Sequence, residues 1–178
     1  MPASSTKGGR RDVPANQTAV FTGTFDPITL GHLDVIRRAA TIFRRLIVGV
    51  GSNPDKSSLF TPDERVTLIR ACTREIRGVE VQSFEGLAVD FVRATGAGVI
   101  LRGVRTVADM DYELTMARTN RVLEPTAETF FVPASESFSH ISSTLIRQIA
   151  RQGGGHDLSQ FVPAAVVAPL LAKFRMKA

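Results

Sequence analysis

Threonine, glycine, aspartate and histidine crowd into the string Thr22-Gly23-Thr24-Phe25-Asp26-Pro27-Ile28-Thr29-Leu30-Gly31-His32, a combination suited to holding an anion. Gly23 and Gly31 let backbone approach a ligand closely. Thr24 adds a hydroxyl and a backbone N–H, and His32 falls at the start of a predicted helix whose first N–H groups lack partners and favour negative charge. Ser142-Ser143-Thr144 opens a second predicted helix in the same manner, so its hydroxyls and free N–H groups make a cradle for β- and γ-phosphates. A serine there would equally serve as a plain N-cap. Arg102 closes the apolar run Val99-Ile100-Leu101 and precedes Gly103, which places a guanidinium where a sheet would meet a ligand crevice. Lys56, in Asn53-Pro54-Asp55-Lys56-Ser57-Ser58, reads by composition as a solvated loop lysine, and spacing alone does not exclude an exposed helix acid at Glu113.

These groups sit between apolar runs that alternate with helical patterns. Strands are expected at Thr18–Phe21, Leu46–Val50, Val79–Phe84, Val99–Leu101 and Thr129–Val132. Helices are expected at Gly31–Phe43, Thr61–Ile76, Leu87–Thr95, Thr106–Leu123, Ser142–Arg151 and Phe161–Lys173, the last started by Pro163. Thr61-Pro62-Asp63-Glu64 combines an N-cap, a proline at the first helical position and a capping-box acid. The alternation predicts an α/β fold: a doubly wound, mostly parallel five-stranded sheet with helices on both faces and ligands at the carboxyl ends of the strands. Residues 1–17, rich in Ser, Gly, Pro and basic side chains, are expected to form a disordered extension, leaving 18–178 as a single domain.

Composition excludes several functions. The formal charge of +5 includes Lys7, Arg10, Arg11 and Asp12 of the N-terminal extension, so the body carries only +3. Its arginines are spread as pairs and singles, which suits phosphorylated small molecules better than a nucleic-acid groove, and one tyrosine with no tryptophan offers little for base stacking. No apolar stretch reads as a signal peptide or membrane span, and the lone Cys72 has no disulfide partner, so a cytoplasmic location is expected. Cys72 stands three after Ile69 and four before Ile76, the spacing of a core residue. His140 and His156 have no metal-ligand spacing, and no protein metal site is expected.

The first string resembles the Thr/Gly-x-Gly-His signature of the nucleotidyltransferase superfamily, and in the form Gly-Thr-Phe-Asp-Pro-x-Thr-x-Gly-His it is similar to the phosphopantetheine adenylyltransferases. The likeness extends through Lys56, Phe60-Thr61-x-x-Glu64-Arg65, Arg102-Gly103-Val104-Arg105, Asp109, Tyr112-Glu113, Asn120-Arg121 and Ile141-Ser142-Ser143-Thr144. It implies transfer of the adenylyl group of ATP to 4'-phosphopantetheine, giving dephospho-coenzyme A and pyrophosphate. It also implies Mg²⁺ carried with ATP, a homohexamer, and coenzyme A as a feedback inhibitor. In such a reaction the acceptor's own phosphate attacks the α-phosphorus, so alignment and charge stabilisation replace a protein nucleophile.

By the same resemblance His32 contacts the α-phosphate and stabilises the transition state, and Thr24 meets both substrates. Phe25, Gly103, Val104, Arg105, Glu113, Phe138, Ser139, His140, Ile141, Ser142, Ser143 and Thr144 complete the ATP site, while Lys56, Ala88 and Arg102 receive the acceptor. Arg147 reaches either the phosphates or solvent and is not counted among the site residues. The chain departs from the family pattern at Thr22, where proline is usual, at Phe138 and His140, and at Thr144 in place of serine. The alternatives are a nicotinate-mononucleotide adenylyltransferase, a cytidylyltransferase, and a non-catalytic doubly wound binding module. The first two usually carry a second histidine where this chain has Thr29; the third would need an acidic or flavin-binding loop.

Overall fold

The computed structural model describes residues 18–52, 57–153 and 155–175. The expected extension 1–17 and Lys56 lie outside the described residues. Five strands form one all-parallel sheet: β1 (Thr18–Gly23), β2 (Arg45–Ser52), β3 (Val79–Glu85), β4 (Val99–Val104) and β5 (Glu128–Pro133), in the order β3-β2-β1-β4-β5. Helices α1 (Leu30–Ala40), α2 (Pro62–Thr73), α3 (Ala88–Thr95), α4 (Val107–Leu123), α5 (Ser143–Gln152) and α6 (Ala164–Arg175) alternate with and follow them. The chain winds outward from β1 to β3, then returns to the other side of β1 for β4. The topological switch therefore lies between β1 and β4, where ligands of open parallel sheets bind.

Burial explains this order. The central strands are continuous apolar runs, with Ala19, Val20, Leu46, Ile47 and Val48 fully buried, as strands covered on both faces must be. The edge strands alternate, with Phe130 half exposed. One sheet face builds the larger core with Ile36, Ile69, Ile146 and Leu170 from α1, α2, α5 and α6. The other packs Val20, Ile47 and Ile100 against Phe91 and Val92 of α3. Gly49 makes room here: a side chain there would start 2.6 Å from the Phe91 ring, which stacks on Phe84 at 4.6 Å. Helices cover both faces, as expected, but unevenly: of α4 only Glu113 is buried.

Three differences from the sequence reading have local causes. α1 stops at Ala40 instead of Phe43, where the Thr41 hydroxyl turns back to the Arg38 carbonyl at 2.8 Å. α2 stops at Thr73 instead of Ile76, where the Ile76 N–H returns to the Thr73 carbonyl at 2.9 Å in a tighter turn. β4 runs on past Leu101, because Arg102, Gly103 and Val104 continue to pair with Phe131, Val132 and Pro133 of β5. Two short 3₁₀ turns, Glu136–Phe138 and Leu158–Gln160, carry no signature in the sequence.

Candidate active site

β1 and β4 pair as far as Phe21 and Leu101 and then part. Arg102 spans the opening from within β4: one guanidinium nitrogen donates to the Thr22 carbonyl at 2.7 Å and reaches its hydroxyl at 3.3 Å. The other face of the fork meets Glu113 in two bonds of 2.6 Å. Glu113 is thus a buried partner from α4, and the exposed acid that spacing left open is ruled out. Thr22, a departure from the family pattern, supplies through its hydroxyl a contact that proline could not.

His32 is fixed by its own helix cap. Thr29 is the N-cap of α1; its hydroxyl accepts the His32 N–H at 3.3 Å, while its backbone N–H donates to His32 Nδ1 at 3.1 Å. A backbone N–H can only donate, so Nδ1 carries the lone pair and the ring proton resides on Nε2. The imidazole is therefore a preset neutral donor. Burial, and secondarily the Arg105 charge, lower its pKa to about 4, although part of the residue stays accessible. A second proton on Nδ1 would also confront the Thr29 N–H.

Phe25 supports the His32 ring edge-on at 5.0 Å and is itself met edge-on by Phe21 at 5.3 Å. It does so with φ of 49°, the one positive-φ non-glycine among the described residues. Such a backbone persists only when packing fixes it. Here Gly23 is needed, since a side chain on it would begin 3.0 Å from the Phe25 ring. Gly31 is less constrained: a side chain there would meet Phe138 at an ordinary 3.6 Å.

Arg105 leaves the end of β4, pairs with Asp109 at 2.9 Å and donates to the Ile141 carbonyl at 3.1 Å. It thereby joins the β4 loop to the segment before α5, where Ser142 caps the helix by accepting the Leu145 N–H at 3.2 Å. Both accounts of that serine can hold, because capping uses its hydroxyl and leaves other first-turn N–H groups free. Ser143 bonds the Pro27 carbonyl at 2.8 Å, and Thr144 is exposed. Val104 and Ile141 are core residues, so they can meet a ligand only through backbone. Phe138 packs against the same core, Ser139 bonds the Glu136 carbonyl at 3.0 Å, and His140 lies exposed, edge-on to Phe161 at 6.3 Å.

Thr24, Phe25, His32, Arg102, Gly103, Arg105, Glu113 and Ser142–Thr144 thus converge on the carboxyl ends of β1 and β4. Ala88 does not: it opens α3 beyond β3, the far edge strand. A cavity of about 320 Å³ bounded by Ser57, Leu59, Thr144 and Arg147 adjoins the phosphate cradle. A roomier one of about 540 Å³ between α5 and α6 is lined by none of the converging residues. Sequence reasoning missed Asp26, Arg65 and Arg147. Arg65 is buried and donates to the Thr24 and Gly51 carbonyls, at 2.8 and 3.0 Å. Arg147 turns to Asp26 while a third of its side chain stays accessible. Asp26 and Arg65 had stood in the quoted strings without a role, and Arg147, one turn into α5, had been left out of the site.

A doubly wound parallel sheet with a helix-start histidine and arginines at its switch point defines a nucleotidyltransferase. The fold is shared with a bifunctional NMN adenylyltransferase/ADP ribose pyrophosphatase of Francisella tularensis, solved with AMP and a manganese ion, at TM-score 0.64 and 16% identity over 90% of this chain. The chain spans about half (51%) of that structure's length. Residues 20–149 match the cytidylyltransferase-like family. The chain is 48% identical over 160 residues, 89% of each protein, to a phosphopantetheine adenylyltransferase of Rhodopirellula baltica. It belongs, within the cytidylyltransferase-like enzymes, to the phosphopantetheine adenylyltransferase family.

Proposed function

We propose that the protein transfers the adenylyl group of ATP to 4'-phosphopantetheine. An acceptor phosphate oxygen bonds to the α-phosphorus, the bond to the bridging oxygen breaks, and pyrophosphate leaves with its electron pair. The observation that carries this reading is His32. Its Nε2–H is held ready by the Thr29 cap at the switch point, as a donor to charge developing on the α-phosphate. Arg105 and the first turn of α5 would neutralise the β- and γ-phosphates. Arg102, oriented by Glu113, would receive the acceptor phosphate together with Lys56, and Thr24 would contact both substrates. Gly103, Val104, Ser139 and His140 would border the nucleotide, and Ala88 the pantetheine arm.

The donors around the cradle are hydroxyls, N–H groups and guanidiniums, which suits a nucleotide that arrives with magnesium bound by its own phosphates. Residues 18–178 would form one nucleotidyltransferase domain, acting in the cytoplasm where ATP is at hand. Assembly into a homohexamer is supported by α4, whose Val107, Tyr112 and Val122 are 88%, 62% and 79% exposed. Light scattering should give six times the chain mass. Coenzyme A, which contains the pantetheine arm and a nucleotide, would compete as a feedback inhibitor.

The reading is tested by mixing the protein with Mg·ATP and either 4'-phosphopantetheine or nicotinate mononucleotide, following pyrophosphate and identifying the product by mass. Dephospho-coenzyme A from the first alone supports it. Product from the second alone would overturn the acceptor, and silence from both would overturn the activity.

A further inference from the structure

Asp26 is 3% exposed and lies in the first loop, yet the adenylyl-transfer chemistry gives it no task. Its two carboxylate oxygens receive adjacent backbone amides, Oδ2 from Leu59 at 2.8 Å and Oδ1 from Phe60 at 2.9 Å. These amides belong to the segment joining β2 to α2. Arg147 of α5 donates to the Asp26 carbonyl and approaches Oδ2 at 3.4 Å. On the opposite flank Arg65 of α2, 2% exposed, ties the Thr24 carbonyl to that of Gly51, at the end of β2. Burial lowers the Arg65 pKa, and the Asp26 charge opposes that change.

Burying a carboxylate is unfavourable unless it is paired and hydrogen-bonded, and here it is both. What the arrangement gains is geometry. Two consecutive amides held by one planar group fix both the distance and the orientation of the β2–α2 segment relative to the first loop. Asparagine, with one acceptor oxygen and an NH₂, could satisfy only one of them. Leu59 lines the cavity of about 320 Å³ together with Ser57, Thr144 and Arg147, so the amides that Asp26 holds fix one wall of it.

We infer that Asp26 is a positioning residue that sets this wall of the acceptor cavity against the nucleotide-binding loop, with Arg147 and Arg65 keeping it in place. This rests on the adenylyl-transfer reading. Asp26→Asn and Arg147→Gln are compared with wild type in three measurements: steady-state kinetics, calorimetric titration with a non-hydrolysable ATP analogue, and urea unfolding. Because the first loop stays tied by Arg65 and Ser143, analogue affinity should hold within about threefold. Displacing the acceptor by about 1 Å should lower kcat/KM for 4'-phosphopantetheine by about a hundredfold in Asp26→Asn, and by about tenfold in Arg147→Gln. Lost stability with unchanged acceptor kinetics, or equal loss of acceptor and analogue, would overturn the inference. Should Asp26→Asn not fold, Arg147→Gln decides alone, and unchanged acceptor kcat/KM refutes it. Wild-type protein that binds the analogue but forms no dephospho-coenzyme A overturns the activity and this inference together; active wild type with unmoved variants overturns the inference alone.

Discussion

Acid should destabilise this protein through His32 well before its carboxylates titrate. Unfolded, the imidazole has the ordinary pKa of about 6.5; folded, it is lowered to about 4 by burial and by Arg105. Between those values the unfolded chain binds a proton that the folded chain refuses, so stability falls as pH drops from about 6.5 to about 4. Above the upper value both states are neutral and the effect is absent. At one pKa unit per 1.36 kcal/mol, the loss between pH 7 and pH 5 is about 2 kcal/mol, approaching about 3 kcal/mol at the lower limit. His32→Gln has no such proton. Urea titrations of both proteins at pH 7 and pH 5, at one protein concentration, isolate the term from every other group. The wild type should lose about 2 kcal/mol more than the variant. Parallel losses would show that the ring is not held neutral, and would remove the argument for a preset Nε2–H donor.

Other consequences follow from the same geometry. His32→Ala should cut turnover at least about a hundredfold with modest change in ATP affinity, read by kinetics and calorimetry. Thr29→Val removes the cap hydroxyl but keeps the N–H on Nδ1, so unfolding should show a loss of about 1 kcal/mol while the turnover defect stays smaller than that of His32→Ala. Arg102→Ala leaves Glu113 buried without its cation and should cost about 3–5 kcal/mol in a urea titration, whereas Arg102→Lys keeps the charge but loses the fork, folds, and binds acceptor about tenfold more weakly. Burial pushes the Cys72 thiol up from 9.0 to about 11. Alkylation at pH 8 should therefore run about a hundredfold slower than for an ordinary thiol, by mass spectrometry.

Strand and helix order was legible because the central strands are continuous apolar runs and the helices carry readable caps: Thr61-Pro62-x-Glu64 closes both bonds of its box. Helix ends were less so, since the tightened turns at Thr41 and Ile76 have no pattern of their own. In the site, the string from Thr22 to His32 announced anion binding and its family. The cap on His32 was hidden, because Thr29 attracted notice only as the place where a second histidine was absent. The burial of Glu113 could not be read from spacing, as α4 buries one residue against an arginine contributed by a strand. Asp26, Arg65 and Arg147 make contacts across 14 to 121 residues of chain, and contacts of that range leave no local period to read.

The central claim is that the acceptor's own phosphate attacks the α-phosphorus of ATP. Its most direct test supplies 4'-phosphopantetheine labelled with ¹⁸O in its phosphate, together with unlabelled Mg·ATP, and weighs both products. The account predicts dephospho-coenzyme A that keeps the label and an equivalent of unlabelled pyrophosphate. Label in pyrophosphate, or no adenylylated product, would contradict it.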